Sequence, residues 1–418
     1  MFSELFFAVA VGAVFLTYAN GANDNFKGVA TLYGSGVLSY RAALVSGTTA
    51  TWFGSVAALF IADELVRSFS GKGLVDPAIL AQGTFPVAVA GGAAVTVLLA
   101  TRLGLPISTT HALIGALVGA GLSAGSLNAA RLGTAFALPL AISPLLAATL
   151  AAAVYLTGRT LRRHWQLEAD DCLCLEPALQ PAVQLVSQPI KQPISQSSSQ
   201  SDPMTATTVS VSESSSAGAP PGSAGAARVT PSVHSAAMPG LRIGNVESCS
   251  TGPLGSIGVS AVDGVGILHC LSGLLVSFAR GLNDTPKIAG VLLIGSTIAV
   301  VSQQWLIVAI ASVMALGGLL SARRVAQVMA KDITTLNEGQ GLAANLVTSF
   351  LVLGASKFGV PVSTTHVSCG ALFGIGASTR GGHVRTIITI LGAWLITLPL
   401  GAASAAIIYY LTQTFLQP

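Results

Sequence analysis

Two short stretches hold residues able to handle an ion inside an otherwise apolar chain. Residues 20–30 read NGANDNFKGVA and residues 280–290 read RGLNDTPKIAG. Asn23, Asp24 and Lys27 in the first recur as Asn283, Asp284 and Lys287 in the second, with the same spacing. A charged side chain at the centre of a bilayer costs roughly 2.5–3.5 kcal/mol on insertion scales, so such residues pair with one another or line a pathway. Each lysine follows its aspartate by three residues, which puts both on one face of a continuous helix. The pair can then be an internal salt bridge, or the lysine can lend fixed positive charge to a bound anion. The two roles are compatible. The asparagine amides offer oxygens to a cation or N–H donors to an anion.

A second motif also occurs twice, as GLPISTTH (104–111) and GVPVSTTH (359–366). Gly and Pro interrupt or begin a helix, and Ser or Thr caps the orphan N–H groups of its first turn. This places Ser108, Thr109 and Thr110 at one helix N-terminus, and Ser363, Thr364 and Thr365 at another. Such an end carries about +0.5 of a charge and suits an anion. Two of them facing one cavity would surround a tetrahedral oxyanion with hydroxyl and backbone donors. The plainer reading is that these residues merely cap two ordinary helices, and the matched duplication favours the anion site. His111 and His366 close the motifs and are read as packing residues, neither catalytic groups nor metal ligands.

The elements that must position these groups are membrane helices. The 418 residues are 52% hydrophobic and 9% charged, with a mean hydropathy of +0.72. A soluble domain carries about 25% charged residues, so this composition requires a lipid bilayer. The net charge of +4 is small and gives no reason to expect nucleic acid. Five cysteines, with Cys172 and Cys174 one residue apart, suggest neither a disulfide framework nor a metal site. The N-terminal run MFSELFFAVAVGAVFLTY has no basic leader and no small-residue cleavage site, so it reads as a first membrane helix. Apolar runs of spanning length are expected near 2–18, 42–62, 84–101, 132–158, 255–279, 288–320, 341–356 and 384–411. Shorter Gly-interrupted pieces lie at 28–38, 107–124 and 362–377. That makes about 10–12 transmembrane elements, some of them broken or re-entrant.

Three regions follow: a membrane repeat over 1–165, a disordered Ser/Pro/Ala-rich linker over 166–253, and a second membrane repeat over 254–418. The linker composition cannot bury enough apolar surface to fold. Arg159, Arg162 and Arg163 beside it argue for a cytoplasmic position, and Arg323 and Arg324 for a second cytoplasmic loop. The Asn-Asp pair recurs 260 positions on and the STTH motif 255 positions on, in the same order. This is duplication, and duplicated membrane halves with broken helices mark secondary transporters.

At these residues the chain resembles the PiT inorganic phosphate transporter family, whose signatures appear here as GANDNFK, GLNDTPK, GLPISTTH and GVPVSTTH. The resemblance covers both membrane halves but not the linker. It implies an all-α polytopic membrane protein of two inverted repeats, a homodimer, and a permease for inorganic phosphate coupled to protons or sodium. It places Asn23, Asp24, Asn283 and Asp284 in the substrate and cation region, and Ser108, Thr109, Thr110, Ser363, Thr364 and Thr365 around the anion. The chain also departs from the family. Lys27 and Lys287 stand where the signature has a second Asn. Thr51 and Asn345 stand where members usually carry a Glu. Two acids lost and two bases gained are changes that would remove a sodium site, since a tethered ammonium can take the charge role of a bound cation. Transport without sodium is therefore expected, either proton-coupled through a lysine or through Asp24 and Asp284, or as exchange or facilitated passage. No cofactor and no enzymatic activity are expected. The alternatives are a sulfate or other oxyanion permease, a nutrient sensor on a transporter scaffold, and an intramembrane hydrolase using Ser108 and His111. The hydrolase is disfavoured because one nucleophile needs no second copy. An uptake system belongs in the cell (inner or plasma) membrane.

Overall fold

The computed structural model describes residues 2–166, 171–176, 240–245, 257–294 and 302–416. These residues form fifteen α-helices: α1 (Phe2–Asp24), α2 (Ala30–Gly34), α3 (Tyr40–Ile61), α4 (Asp63–Ser68), α5 (Pro77–Leu80), α6 (Thr84–Arg102), α7 (Thr109–Ser123), α8 (Ala129–Leu132), α9 (Leu138–His164), α10 (Ala261–Leu292), α11 (Gln303–Ser321), α12 (Arg323–Gln327), α13 (Glu338–Lys357), α14 (Thr364–Thr379) and α15 (Val384–Leu416). Among the described residues, six stretches are long and apolar enough to cross a membrane: Tyr40–Ile61, Thr84–Arg102, Ala129–His164, Val262–Leu292, Gln303–Ser321 and Val384–Phe415. The fold is all-α and polytopic in its membrane part.

A second small unit, Cys172–Gly258, overlaps the stretch read as a linker. Strands Asp171–Glu176, Gly240–Asn245 and Ile257–Ser260 lie in this region or at its borders, paired with the first strand in the centre. Composition alone did not anticipate these strands. The Ser-rich stretch between them lies outside the described residues.

Local chemistry sets several helix ends. Ser39 caps α3 by accepting from the Ala42 N–H, and Ser260 caps α10 by accepting from the Asp263 N–H at 3.0 Å. Asn337 and Gln340 form a reciprocal capping box at the start of α13.

The two signatures behave differently. In the first half, α1 ends at Asp24 and a 3-10 turn over Lys27–Val29 leads into the short α2. In the second half, the expected break near 280–287 is absent, and α10 runs unbroken through the signature. The difference falls on matching positions 28 and 288. Gly28 packs so closely on Ser277 that a Cβ would collide with its backbone, and glycine is a poor helix former. Ile288 instead lies in the core and continues the helix. The expected apolar span 288–320 is consequently divided between the end of α10 and α11.

The halves exchange partners. α1 packs on α11 and α3 on α10, while α7 packs on α15 and α14 on α9. The same small residues allow both members of each exchange. A Cβ at Gly21 would strike the Met314 carbonyl, and one at its counterpart Gly281 would strike that of Thr51. Gly119 and Gly374 press likewise on the carbonyls of Ala402 and Ala148. α6 and α7, and again α13 and α14, fold back on themselves as hairpins. The base of the second hairpin is tied by a bridge between Thr334 and Gly382, and that of the first by the Asn128 N–H bonding the Leu74 carbonyl at 2.8 Å.

The hairpin returns bring the starts of α7 and α14 together. The Thr365 hydroxyl donates to the Ile107 carbonyl at 2.8 Å, and the Thr110 hydroxyl to the Val362 carbonyl at 3.4 Å. Matching residues thus exchange matching bonds, as a pseudo-two-fold axis requires. The starts of α7 and α14 thus meet at the axis that relates the two repeats.

These contacts make a packing prediction. Gly119→Val and Gly374→Val each push a side chain into a neighbouring backbone that cannot rotate away. Each should destabilise by about 1–3 kcal/mol or more, read as a lowered melting temperature of the detergent-purified protein. Gly133→Val, at a position with open space around it, is the control.

Candidate functional site

At the axis the polar groups of both signatures and the Ser and Thr residues of both STTH motifs are buried. Asn23, Asp24, Lys27, Asn283, Asp284 and Lys287 are each at most 3% exposed, where every polar atom needs a partner. The Lys27 ammonium donates to the Ile107 carbonyl at 2.7 Å, the Thr365 hydroxyl at 2.6 Å and Asn23 Oδ1 at 2.9 Å, and it pairs closely with Asp24. Lys287 mirrors it, donating to the Val362 carbonyl at 2.6 Å and the Thr110 hydroxyl at 2.9 Å, with Asp284 Oδ1 at 3.5 Å. Each lysine therefore ties its own signature to both broken helices. One of those helices belongs to the other half of the chain.

The asparagines lock the hairpin returns. Asn23 Nδ2 donates to the Thr101 hydroxyl and the Leu105 carbonyl, both at 3.0 Å. Asn283 accepts from the Ser356 hydroxyl at 3.2 Å and donates to the Val362 carbonyl at 3.4 Å. Thr109 donates to Asp24 Oδ2 at 2.7 Å. Ser108 and Ser363 act as N-caps, accepting from the N–H groups of His111 at 3.0 Å and His366 at 3.2 Å. Thr364 is buried in the first turn of α14. All twelve candidate residues thus lie at the four sequence motifs that converge here.

His111 and His366 meet edge to face, ring centres 4.3 Å apart, and His366 packs on Trp394 at 3.8 Å. The Trp394 indole N–H bonds the Pro106 carbonyl at 3.2 Å, so this aromatic stack braces the start of α7. Thr51 donates to the Ser277 carbonyl at 3.1 Å. Asn345 accepts from Thr31 at 3.0 Å and donates to Ser272 at 3.2 Å. Both carry ordinary interhelical bonds to α10 or α2. A cavity of about 380 Å³ opens beside the return of the first hairpin. Leu103, Gly104 and Leu105 line it, with Asp332, His383, Arg385 and Thr386 among the facing residues.

One buried charge escaped sequence reasoning. Arg280, 1% exposed, donates to Asn20 Oδ1 at 2.7 Å and Asn25 Oδ1 at 3.1 Å, and its Nε lies 3.4 Å from Asp284 Oδ2. A signal was present: it stands 260 positions after Asn20, so the repeat replaces an amide with a guanidinium.

A buried pair that loses one member costs about 3–5 kcal/mol, because the remaining charge is left unpaired. Asp24→Asn should therefore lower thermal stability strongly. Asp24→Asn combined with Lys27→Met should recover much of the loss. A melting series of wild type, both single variants and the double variant measures the coupling.

The comparisons with known proteins agree on one family. The sequence profile of the Phosphate transporter family matches residues 20–405. A putative phosphate permease of Haemophilus influenzae is 24% identical over 99% of this chain and 97% of its own length. The inorganic phosphate transporter 2-1, chloroplastic, of Arabidopsis thaliana is 28% identical over 96% of this chain and 71% of its length. A solved structure titled "The sodium-dependent phosphate transporter" superposes with a TM-score of 0.68 at 18% identity, covering 99% of this chain and 100% of that one. At that identity it speaks for the fold. A multi-pass architecture of inverted repeats and a profile match across both halves lead to one conclusion: this chain belongs to the Phosphate transporter family and is an integral membrane carrier of inorganic phosphate, not an enzyme.

Proposed function

We propose that phosphate crosses through the site at the axis without needing sodium, with Lys27 and Lys287 supplying the charge a coupling cation would bring. The observation that carries this is the coordination of Lys27. Its ammonium holds an amide, a carboxylate, a carbonyl and a hydroxyl oxygen at once. These are the oxygen donors a hard cation takes, and a covalently attached cation already occupies them. In this reading the anion lies against the first turns of α7 and α14, where helix dipoles and hydroxyls favour it. Ser108, Thr109, Thr110, Ser363, Thr364 and Thr365 contact the phosphate oxygens there, flanked by Asn23, Asp24, Asn283 and Asp284. An aspartate carboxylate can accept a proton from phosphate, which is protonated near neutral pH. Sulfate offers no such proton.

Passage uses the inverted symmetry, with rocking of one repeat against the other opening the site to each side in turn. The Arg324 guanidinium donates to the Arg102 carbonyl, and Arg385 lines the cavity beside the same hairpin return. Positive-inside reasoning makes this basic end cytoplasmic, so the cavity beside Leu105 and Arg385 would be the inner mouth. A proton as coupling ion, a homodimer as the assembled form and the cell membrane as the location complete the reading.

The test is radiolabelled phosphate uptake into proteoliposomes of the full chain in sodium and in choline buffer. Equal uptake supports the proposal, and strict sodium dependence would overturn it. Lys27→Asn and Lys287→Asn each remove a hydrogen bond of about 1.5–3 kcal/mol to a charged group, so each should slow uptake by tenfold or more. Undiminished uptake in Lys27→Asn contradicts the lysine's role. Sulfate competing as well as phosphate assigns the wider oxyanion specificity.

A further inference from the structure

The reading above leaves Arg280 unused, although its side chain is the largest among those almost completely buried. Its surroundings break the pseudo-symmetry in a specific way. In the first half, Asp24 receives the Lys27 ammonium closely, the Thr109 hydroxyl at 2.7 Å and the Asn20 amide at 3.1 Å. In the second half, Lys287 stands 3.5 Å from Asp284 and spends its shorter bonds on Val362 and Thr110. Asp284 Oδ2 has no hydrogen bond from the described protein and faces Arg280 Nε at 3.4 Å. The other end of the guanidinium reaches across to the first signature, where Asn20 Oδ1 and Asn25 Oδ1 accept from it. A carboxylate and two amide oxygens from both repeats thus converge on one cation.

We propose that Arg280 is a built-in counter-cation: it fills a cation subsite formed by Asn20, Asn25 and Asp284, and so sets both the cation independence and the charge selectivity of transport. This deepens the sodium-free reading and rests on it. Among the described residues, the buried Asp, Glu, Lys and Arg side chains are Asp24, Asp284, Lys27, Lys287 and Arg280. With all five ionised the site carries one surplus positive charge. One monoanion, such as dihydrogen phosphate, brings it to neutrality. A metal cation entering would meet that surplus charge and find its oxygens occupied. Arginine suits the place better than lysine, because its fork holds several acceptors while staying charged.

Arg280→Asn restores the residue of the first repeat and empties the subsite. The measurement is phosphate uptake by the reconstituted full chain, for wild type, Arg280→Asn and Arg280→Lys, in sodium, lithium and choline buffers. Arg280→Asn should be slow in choline and be accelerated about tenfold by sodium, a typical coupling between linked sites. Arg280→Lys should be slower than wild type but show the wild-type ratio of sodium to choline uptake. A purely structural arginine would give no rescue by a small cation. If folded Arg280→Asn shows the wild-type ratio, or loses uptake in every buffer, the proposal is overturned.

Wild-type uptake that itself requires sodium counts against the sodium-free permease. The change in ratio between wild type and Arg280→Asn still judges the arginine separately. Asn20→Asp offers a second route should Arg280→Asn not fold. It adds a carboxylate beside a retained guanidinium and cancels the surplus charge. It should raise the KM for phosphate with no recovery in sodium, and an unchanged KM would overturn the charge argument.

Discussion

Each signature lysine reaches the carbonyl that precedes a broken helix, and the rest of the membrane unit is arranged around that contact. Lys27 bonds the Ile107 carbonyl and Lys287 the Val362 carbonyl. Residues 103–108 and 358–363 leave the helical hydrogen-bond ladder, and exposed backbone of that kind is tolerated at membrane depth only when protein or a polar cavity satisfies it. The ammonium groups satisfy it here. In return the broken helices and the aspartates satisfy the ammonium groups. Neither the charges nor the unwound backbone would be stable without the other.

This mutual dependence explains the close packing nearby. Helices carrying such groups must approach without intervening bulk, because lipid supplies no hydrophobic drive between them and small residues permit contact. The glycines that meet neighbouring carbonyls, Gly21 with Gly281 and Gly119 with Gly374, occupy matching places in both repeats. They bring α1 to α11, α10 to α3, and the two short helices to the long final helix of the opposite half. The exchange of partners makes the two repeats one body whose shared axis carries the candidate site.

Symmetry is incomplete at the axis. The first signature leaves its helix after Asp24, whereas the second stays helical through Ile288. Asn20 and Arg280 give the two sides unequal charge. A perfectly symmetric arrangement would carry two balanced ion pairs, and the proposed role of Arg280 rests on the guanidinium added to them.

The sequence by itself determined the membrane class and the duplication, carried the resemblance to one family, and singled out the twelve polar residues at the four motifs. The class and the duplication follow from composition and spacing, and the polar residues stand out through the cost of burying charge. It also indicated that the STTH residues begin helices, because capping is a local preference. What it left open were partners distant along the chain. That Lys27 bonds Thr365 and Lys287 bonds Thr110 depends on how one half folds onto the other, and no local period encodes it. The apolar runs stop at 279 and resume at 288, yet α10 continues through NDTPK because side-chain bonds across the interface satisfy its polar residues within the helix. The role of Arg280 was hidden for the same reason: its acceptors, Asn20 and Asn25, lie some 260 residues away in the chain and within 3.1 Å in space. Tertiary structure decided these points because a buried charge is defined by the groups that surround it, and those groups came from both repeats.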